Sequence, residues 1–80
     1  MEITVKYFGI IADIARKKEE VFFIDDESNS VKKLQSIIEI KYPKILVTNY
    51  SIALNEKFLQ NDILLKNNDI IALLPPFAGG

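Results

Sequence analysis

The chain has no cysteine and no histidine among its 80 residues. The first absence rules out a disulfide framework, a thiolate nucleophile and a thiolate metal site. The second removes the commonest general base and the commonest transition-metal ligand. Together they leave no familiar constellation of nucleophile, base and metal that this chain could assemble alone. Strong charge of one sign is missing too, since ten basic side chains stand against eleven acidic ones, mixed along the sequence. That balance gives no electrostatic footprint for a nucleic-acid backbone. Lys6-Tyr7-Phe8 has the look of a base-stacking strand, but no basic face accompanies it. No apolar run approaches the roughly eighteen residues of a membrane helix, and no basic-then-apolar leader opens the chain. A cytoplasmic protein without membrane or nucleic-acid partners is expected.

Glycine and proline are scarce, at three each, and two of each fall in the last six residues. The remaining composition is 49% hydrophobic, enough to fill one core and leave some apolar surface over. A chain of this size buries only about 60–65% of the surface it exposes when unfolded, so stability should be modest. One domain is expected over residues 1–80, of which 75–80 form an extended tail.

Glu2 to Phe8 alternates with period two, placing Ile3, Val5 and Tyr7 on the core face of a first strand and Phe8 in the outward row. Gly9 breaks that strand, and Ile10, Ile11 and Ile14 suggest a turn or two of helix through Ala15. Glu19 to Ile24 reads as a second, antiparallel strand at a sheet edge. The acidic run Asp25-Asp26-Glu27-Ser28-Asn29-Ser30 lacks the ligand spacing and glycine of a calcium loop, so a plain loop is expected and no metal site.

Ser30 is a good N-cap for a helix over Val31 to Tyr42, with Val31, Leu34, Ile38 and Tyr42 at helical intervals and Ile37 widening the stripe. Pro43 stops it. Ile45 and Val47 anchor the connection. Ser51 to Asn55 forms a third strand with Ile52 and Leu54 inward, and Asn55-Glu56 turns into a short return at Lys57-Phe58-Leu59. Asn67-Asn68-Asp69 marks a tight turn before the last strand, Ile70 to Leu74. The pattern predicts an α+β layout with a mixed sheet of four to five strands and one main helix on one face. If the first and last strands are neighbours, one outer surface collects Phe8, Ala53, Ala72 and Leu74 as a docking strip.

The last strand runs straight into Pro75-Pro76-Phe77-Ala78-Gly79-Gly80. Two prolines fix φ and lack N–H donors, so they end the strand and launch a stiff segment. Two glycines then strip the tip of side chains, letting it thread a narrow channel. Such a flexible C-terminal tail reaches roughly 20 Å at full extension. The expectation is that the chain stops at Gly80 and presents its carboxylate to something else.

With these features the sequence resembles the sulfur carriers of the ubiquitin-like β-grasp family, and most closely the branch formed by the small subunits of molybdopterin synthase. The resemblance spans the whole chain. It rests on the opening strand into Phe8-Gly9, on Leu54-Asn55 followed by Phe58, on the turn before Ile70, and above all on Leu74-Pro75-Pro76-Phe77-Ala78-Gly79-Gly80. Members of this branch usually carry Arg-Glu where this chain has Ala12-Asp13, and often Asp-Gly-Asp where it has Asn67-Asn68-Asp69.

The resemblance implies that an E1-like adenylating enzyme activates Gly80 with ATP and that a sulfur donor protein converts it to a thiocarboxylate. This chain would bind no cofactor of its own. The sulfur would pass to cyclic pyranopterin monophosphate in the large subunit of a heterotetrameric synthase that holds the catalytic residues. Gly80 would be the acyl carrier, Gly79 would give access, and Pro75 and Pro76 would set the tail's direction. Phe8, Phe58, Leu74 and Phe77 would contact partners. Alternatives are a carrier for thiamine, tRNA thiolation or cysteine synthesis, a ubiquitin-like modifier, or an inert interaction module.

Overall fold

In the computed structural model, which describes residues 1–26 and 29–76, the period-two segment becomes β1 (Glu2–Tyr7) with Ile3, Val5 and Tyr7 buried. A short helix α1 (Gly9–Ala15) follows, then β2 (Glu19–Phe23), the main helix α2 (Val31–Lys41) and a 3-10 turn at Pro43–Val47. The chain closes with β3 (Ser51–Leu54), β4 (Lys57–Phe58) and β5 (Ile70–Leu74). The five strands lie in the order β2-β1-β5-β3-β4. Only β1 and β5 run parallel; the other neighbouring pairs are antiparallel. This is the mixed sheet with one main helix that the sequence predicts, a β-grasp fold.

The helix packs where its apolar stripe meets the inner row of the sheet. Val31, Leu34 and Ile38 are buried on α2, against a cluster that includes Ile3, Val5, Ile71 and Leu73. Burial of each such side chain contributes about 1.5–3 kcal/mol relative to exposure. The first backbone donors of α2 are all satisfied: Val31 N–H donates to Ile63 O at 2.9 Å, Lys32 N–H to Asp62 Oδ1 at 3.0 Å and Lys33 N–H to the Ser30 hydroxyl at 3.2 Å. That last bond is the expected N-cap. The Lys32 N–H is also the main cause holding the Asp62 carboxyl below its ordinary range.

Edge strand β2 is fastened to the end of α2 through Glu20, which faces inward opposite Val5. The Tyr7 and Tyr42 hydroxyls donate to Glu20 Oε1 at 2.9 and 2.7 Å, and the Lys41 ammonium pairs with Oε2. Burial works against the Glu20 carboxylate, but the bonds from Lys41, Tyr42 and Tyr7 outweigh it and hold the carboxyl below its usual range. Burial, followed by the bond to Glu20, pushes the Tyr7 hydroxyl far above its usual range.

α1 turns Ile11 and Ala15, one helical turn apart, toward the core and leaves Ile10 exposed. Three expectations are corrected. Ile37 is 38% exposed: the stripe widens instead on the flank of Gln35 and Glu39, whose side chains meet the Tyr50 hydroxyl. Val47 is 89% exposed, since the tight 3-10 turn sends Ile45 into the core in its place. Ala53 is buried, standing between Ala72 on one neighbouring strand and Phe58 on the other. Among the described residues no helix is long and apolar enough to cross a membrane.

Candidate functional site

The site begins where β5 ends. Leu74, half-buried, is paired with Ser51 at the last rung of the β3–β5 ladder. Pro75 follows half-buried and Pro76 exposed. Pro75 leans on Gly9, whose φ of +54° lies in the left-handed region that favours glycine. A Cβ built on Gly9 would sit 2.9 Å from Pro75 Cγ, closer than non-bonded carbons approach. Gly9 is therefore required twice, once by its own backbone and once by the ring beside it. Because β1 and β5 run parallel, the turn leaving β1 and the exit from β5 arise at the same end of the sheet. The Phe8-Gly9 step of the sequence thus becomes one wall of the tail's root.

The other wall is Asn49-Tyr50-Ser51, which with Pro76 lines a small concavity of about 110 Å³. Tyr50 is held from α2: its hydroxyl donates to Glu39 Oε2 at 2.6 Å and accepts from Gln35 Nε2 at 2.8 Å. Burial, then the Glu39 carboxylate, pushes the Tyr50 hydroxyl up to about 12, so it keeps its proton at neutral pH. Tyr50 is thereby fixed on α2 beside Pro76. The sequence-predicted residues Phe77, Gly79 and Gly80 lie outside the described residues, as do Glu27 and Ser28 of the acidic loop.

The outer face of the sheet adjoins this root. Its centre is low, because Ala53 and Ala72 stand opposite each other. Phe58 rises beside them on β4, 65% exposed. Phe8, 43% exposed, is not in the strand row as expected; it is the extended residue that caps α1, yet it still borders the outer face. A groove of about 330 Å³ runs along Lys6, Phe8, Asn55, Glu56, Ile70 and Ala72. A second, of about 450 Å³, is bordered by Ala12 and Lys18. Lys6 and Phe8 line both. Of the expected contact residues, Phe8, Phe58 and Leu74 are brought to this end or face of the sheet.

Sequence reasoning missed Ile70 and Glu56. Ile70 is in phase with Ala72 and Leu74, so carrying the alternation of β5 back one step would have found it. Glu56 gave no signal beyond its place in a turn. The motif residue Asn55 turns out to be a tie: its Nδ2 donates to Asp69 Oδ1 at 3.0 Å, and its Oδ1 accepts from Ile70 N–H at 2.9 Å. It joins the β3–β4 hairpin to the start of β5. Asn68 takes the left-handed conformation expected of that turn, with φ of 72°.

Comparison with known proteins adds three findings. The model of the ThiS family matches residues 5–80. The molybdopterin synthase sulfur carrier subunit of Chlamydomonas reinhardtii is 30% identical over the full length of both chains. Two solved structures superpose closely. A Pyrococcus furiosus protein assigned as molybdopterin converting factor subunit 1 gives a TM-score of 0.87 at 24% identity, over 96% of this chain and 99% of its own. Subunit 1 in the Helicobacter pylori complex of molybdopterin-converting factor subunits 1 and 2 gives 0.75 at 31% identity, over all of both chains.

Proposed function

The chain belongs to the ThiS family, and from that premise we propose that it is the sulfur carrier subunit of a molybdopterin synthase, with Gly80 as the acyl group that bears the sulfur. A carboxylate is a poor acyl donor. In this reading the Gly80 carboxylate attacks the α-phosphorus of ATP on an E1-like enzyme, releasing pyrophosphate and forming an acyl adenylate. A persulfide from a sulfur donor protein displaces AMP, and a thiol then cleaves the acyl disulfide to leave the thiocarboxylate. The thiocarboxylate enters the large subunit, gives its sulfur to cyclic pyranopterin monophosphate, and is returned by water to the carboxylate. A dithiolene holds two sulfurs, so two loaded carriers are consumed for each product, in keeping with a heterotetramer of two small and two large subunits.

The observation that carries this reading is the built root of the tail. Pro75 is packed on Gly9 and Pro76 borders Asn49 to Ser51, so the segment leaves the sheet in a set direction beside an apolar outer face. Relatives of matching length include a molybdopterin synthase sulfur carrier subunit and subunit 1 of a complex of molybdopterin-converting factor subunits 1 and 2. Phe8, Phe58, Leu74 and Phe77 are assigned to that partner contact, Gly79 to passage through the large subunit's channel.

The test is intact mass after incubation with the adenylating enzyme, ATP and a sulfur source. One sulfur-for-oxygen exchange, lost when Gly80 is deleted, is expected. An unchanged mass would overturn the carrier reading, and Gly80 found in isopeptide linkage to lysine would replace it with a protein modifier.

A further inference from the structure

Glu56 occupies a backbone position that suits it poorly. It and Asn55 form the two-residue loop between the paired residues Leu54 and Lys57, with φ of 49° at Asn55 and 73° at Glu56. Positive φ at both positions makes this a type I′ turn, in which the second residue is by preference glycine. Asn55 has a local reason for its conformation, since its side chain ties the hairpin to Asp69 and Ile70. Glu56 has no such reason. Among the described residues its carboxylate makes none of the side-chain hydrogen bonds or ion pairs that hold Glu20 and Glu39. A strained residue that glycine would relieve, with its side chain exposed at a groove, marks a position kept for contact rather than for stability.

The groove fixes the chemistry of that contact. Its floor and wall are Ile70, Ala72 and Phe8, and its two charged lining residues are Lys6 and Glu56. Lys6 stands opposite Glu19 in the β1–β2 register. Lys57 is paired with Leu54 and belongs to the opposite, inward-facing row. Glu56 is the groove's one anionic lining residue, and among the described residues it makes no ion pair. We infer that Glu56 sets the partner preference of the outer face by receiving an arginine or lysine of the molybdopterin synthase large subunit. The aliphatic stem of that side chain lies along Ile70 and Ala72, against Phe8, while its cationic head reaches the carboxylate. The inference rests on the proposed function, which makes this face the docking surface for the large subunit.

The experiment titrates the large subunit of the same organism with the wild-type chain and with Glu56→Gln, Glu56→Lys and Glu56→Gly, at low and high salt, with thermal midpoints measured for each. Glu56→Gln should weaken binding about threefold and Glu56→Lys about tenfold or more, with both losses shrinking as salt screens the pair. Glu56→Gly should raise the thermal midpoint yet weaken binding, a combination that a purely structural role would not give. Wild-type binding with all three variants unchanged in affinity would overturn the inference alone. A wild-type chain that loads sulfur but does not bind the large subunit would overturn the assignment to molybdopterin synthase, and the inference with it.

Discussion

Replacing Gly9 with alanine tests the root of the tail through two separable costs. The first is conformational: at φ of +54° a non-glycine residue is disfavoured by about 1–2 kcal/mol. The second is steric, because the added Cβ would meet Pro75 Cγ at 2.9 Å and one of the two must move by about 0.5 Å or more to reach ordinary contact. For a domain of this size the conformational cost alone lowers the thermal midpoint by roughly 4–16 °C. Pro75→Ala removes Cγ and therefore the collision, but leaves the strain at residue 9. The double variant should be more stable than the sum of the two single losses predicts, with a coupling of about 0.5 kcal/mol or more. Thermal denaturation followed by circular dichroism measures all four proteins, and the rate of sulfur loading reads the aim of the tail. Gly9→Ala should load more slowly, and the double variant should not recover that rate because the ring that sets direction is gone. Strictly additive stabilities would show that Gly9 and Pro75 do not touch in solution and would refute the clamped root.

The other predictions concern stability, ionisation and docking. Glu20→Ala should cost about 1.5–3 kcal/mol, because it leaves the buried Tyr7 hydroxyl without its acceptor; urea denaturation measures it. Since folding lowers the Glu20 pKa, its contribution is present above the unfolded carboxylate range and lost as pH falls through the folded value, so the gap between wild type and Glu20→Gln should close in acid. The tyrosines give the opposite sign. Folding raises Tyr7 and Tyr50, so their contribution is complete below about pH 10 and lost above it, and Tyr50→Phe should remove a tyrosinate absorbance step near 12. Deleting Gly80 should abolish sulfur loading yet shift the midpoint by only about 2–4 °C, since a terminal glycine has no side chain to bury. Phe8→Ser should weaken large-subunit binding about tenfold or more while costing little stability, given its exposure; isothermal titration and a melting curve separate the two.

The strands and the main helix were legible because their signals are local. Alternation in Glu2–Tyr7 and in Ile70–Leu74, the Ser30 cap and the Pro43 stop each act within a few residues, and each appears where expected. What was hidden depends on neighbours far along the chain. Ile37 is apolar and at a plausible helical position, but the stripe widens on the opposite flank of α2, where Tyr50 from another segment meets Gln35 and Glu39. Ala53 is outward by phase and covered by register, and register is a property of strand pairs. The candidate site divides in the same way. Its double proline and Phe8-Gly9 step could be read directly, whereas the packing of Pro75 on Gly9 needed the parallel pairing of β1 with β5. The strain at Glu56 became visible only with the backbone angles in hand.

That parallel pairing bears on when the protein is fit for use. The support under the C-terminal segment is assembled from the two ends of the polypeptide, and contacts between distant residues form late, after the entropy of closing the intervening loop has been met. A half-made or locally opened molecule therefore has no proper stem to offer. In the proposed sulfur carrier, partners that grip only a correctly aimed terminus would pass over it, and completion of the fold would act as an inspection step before any sulfur is committed.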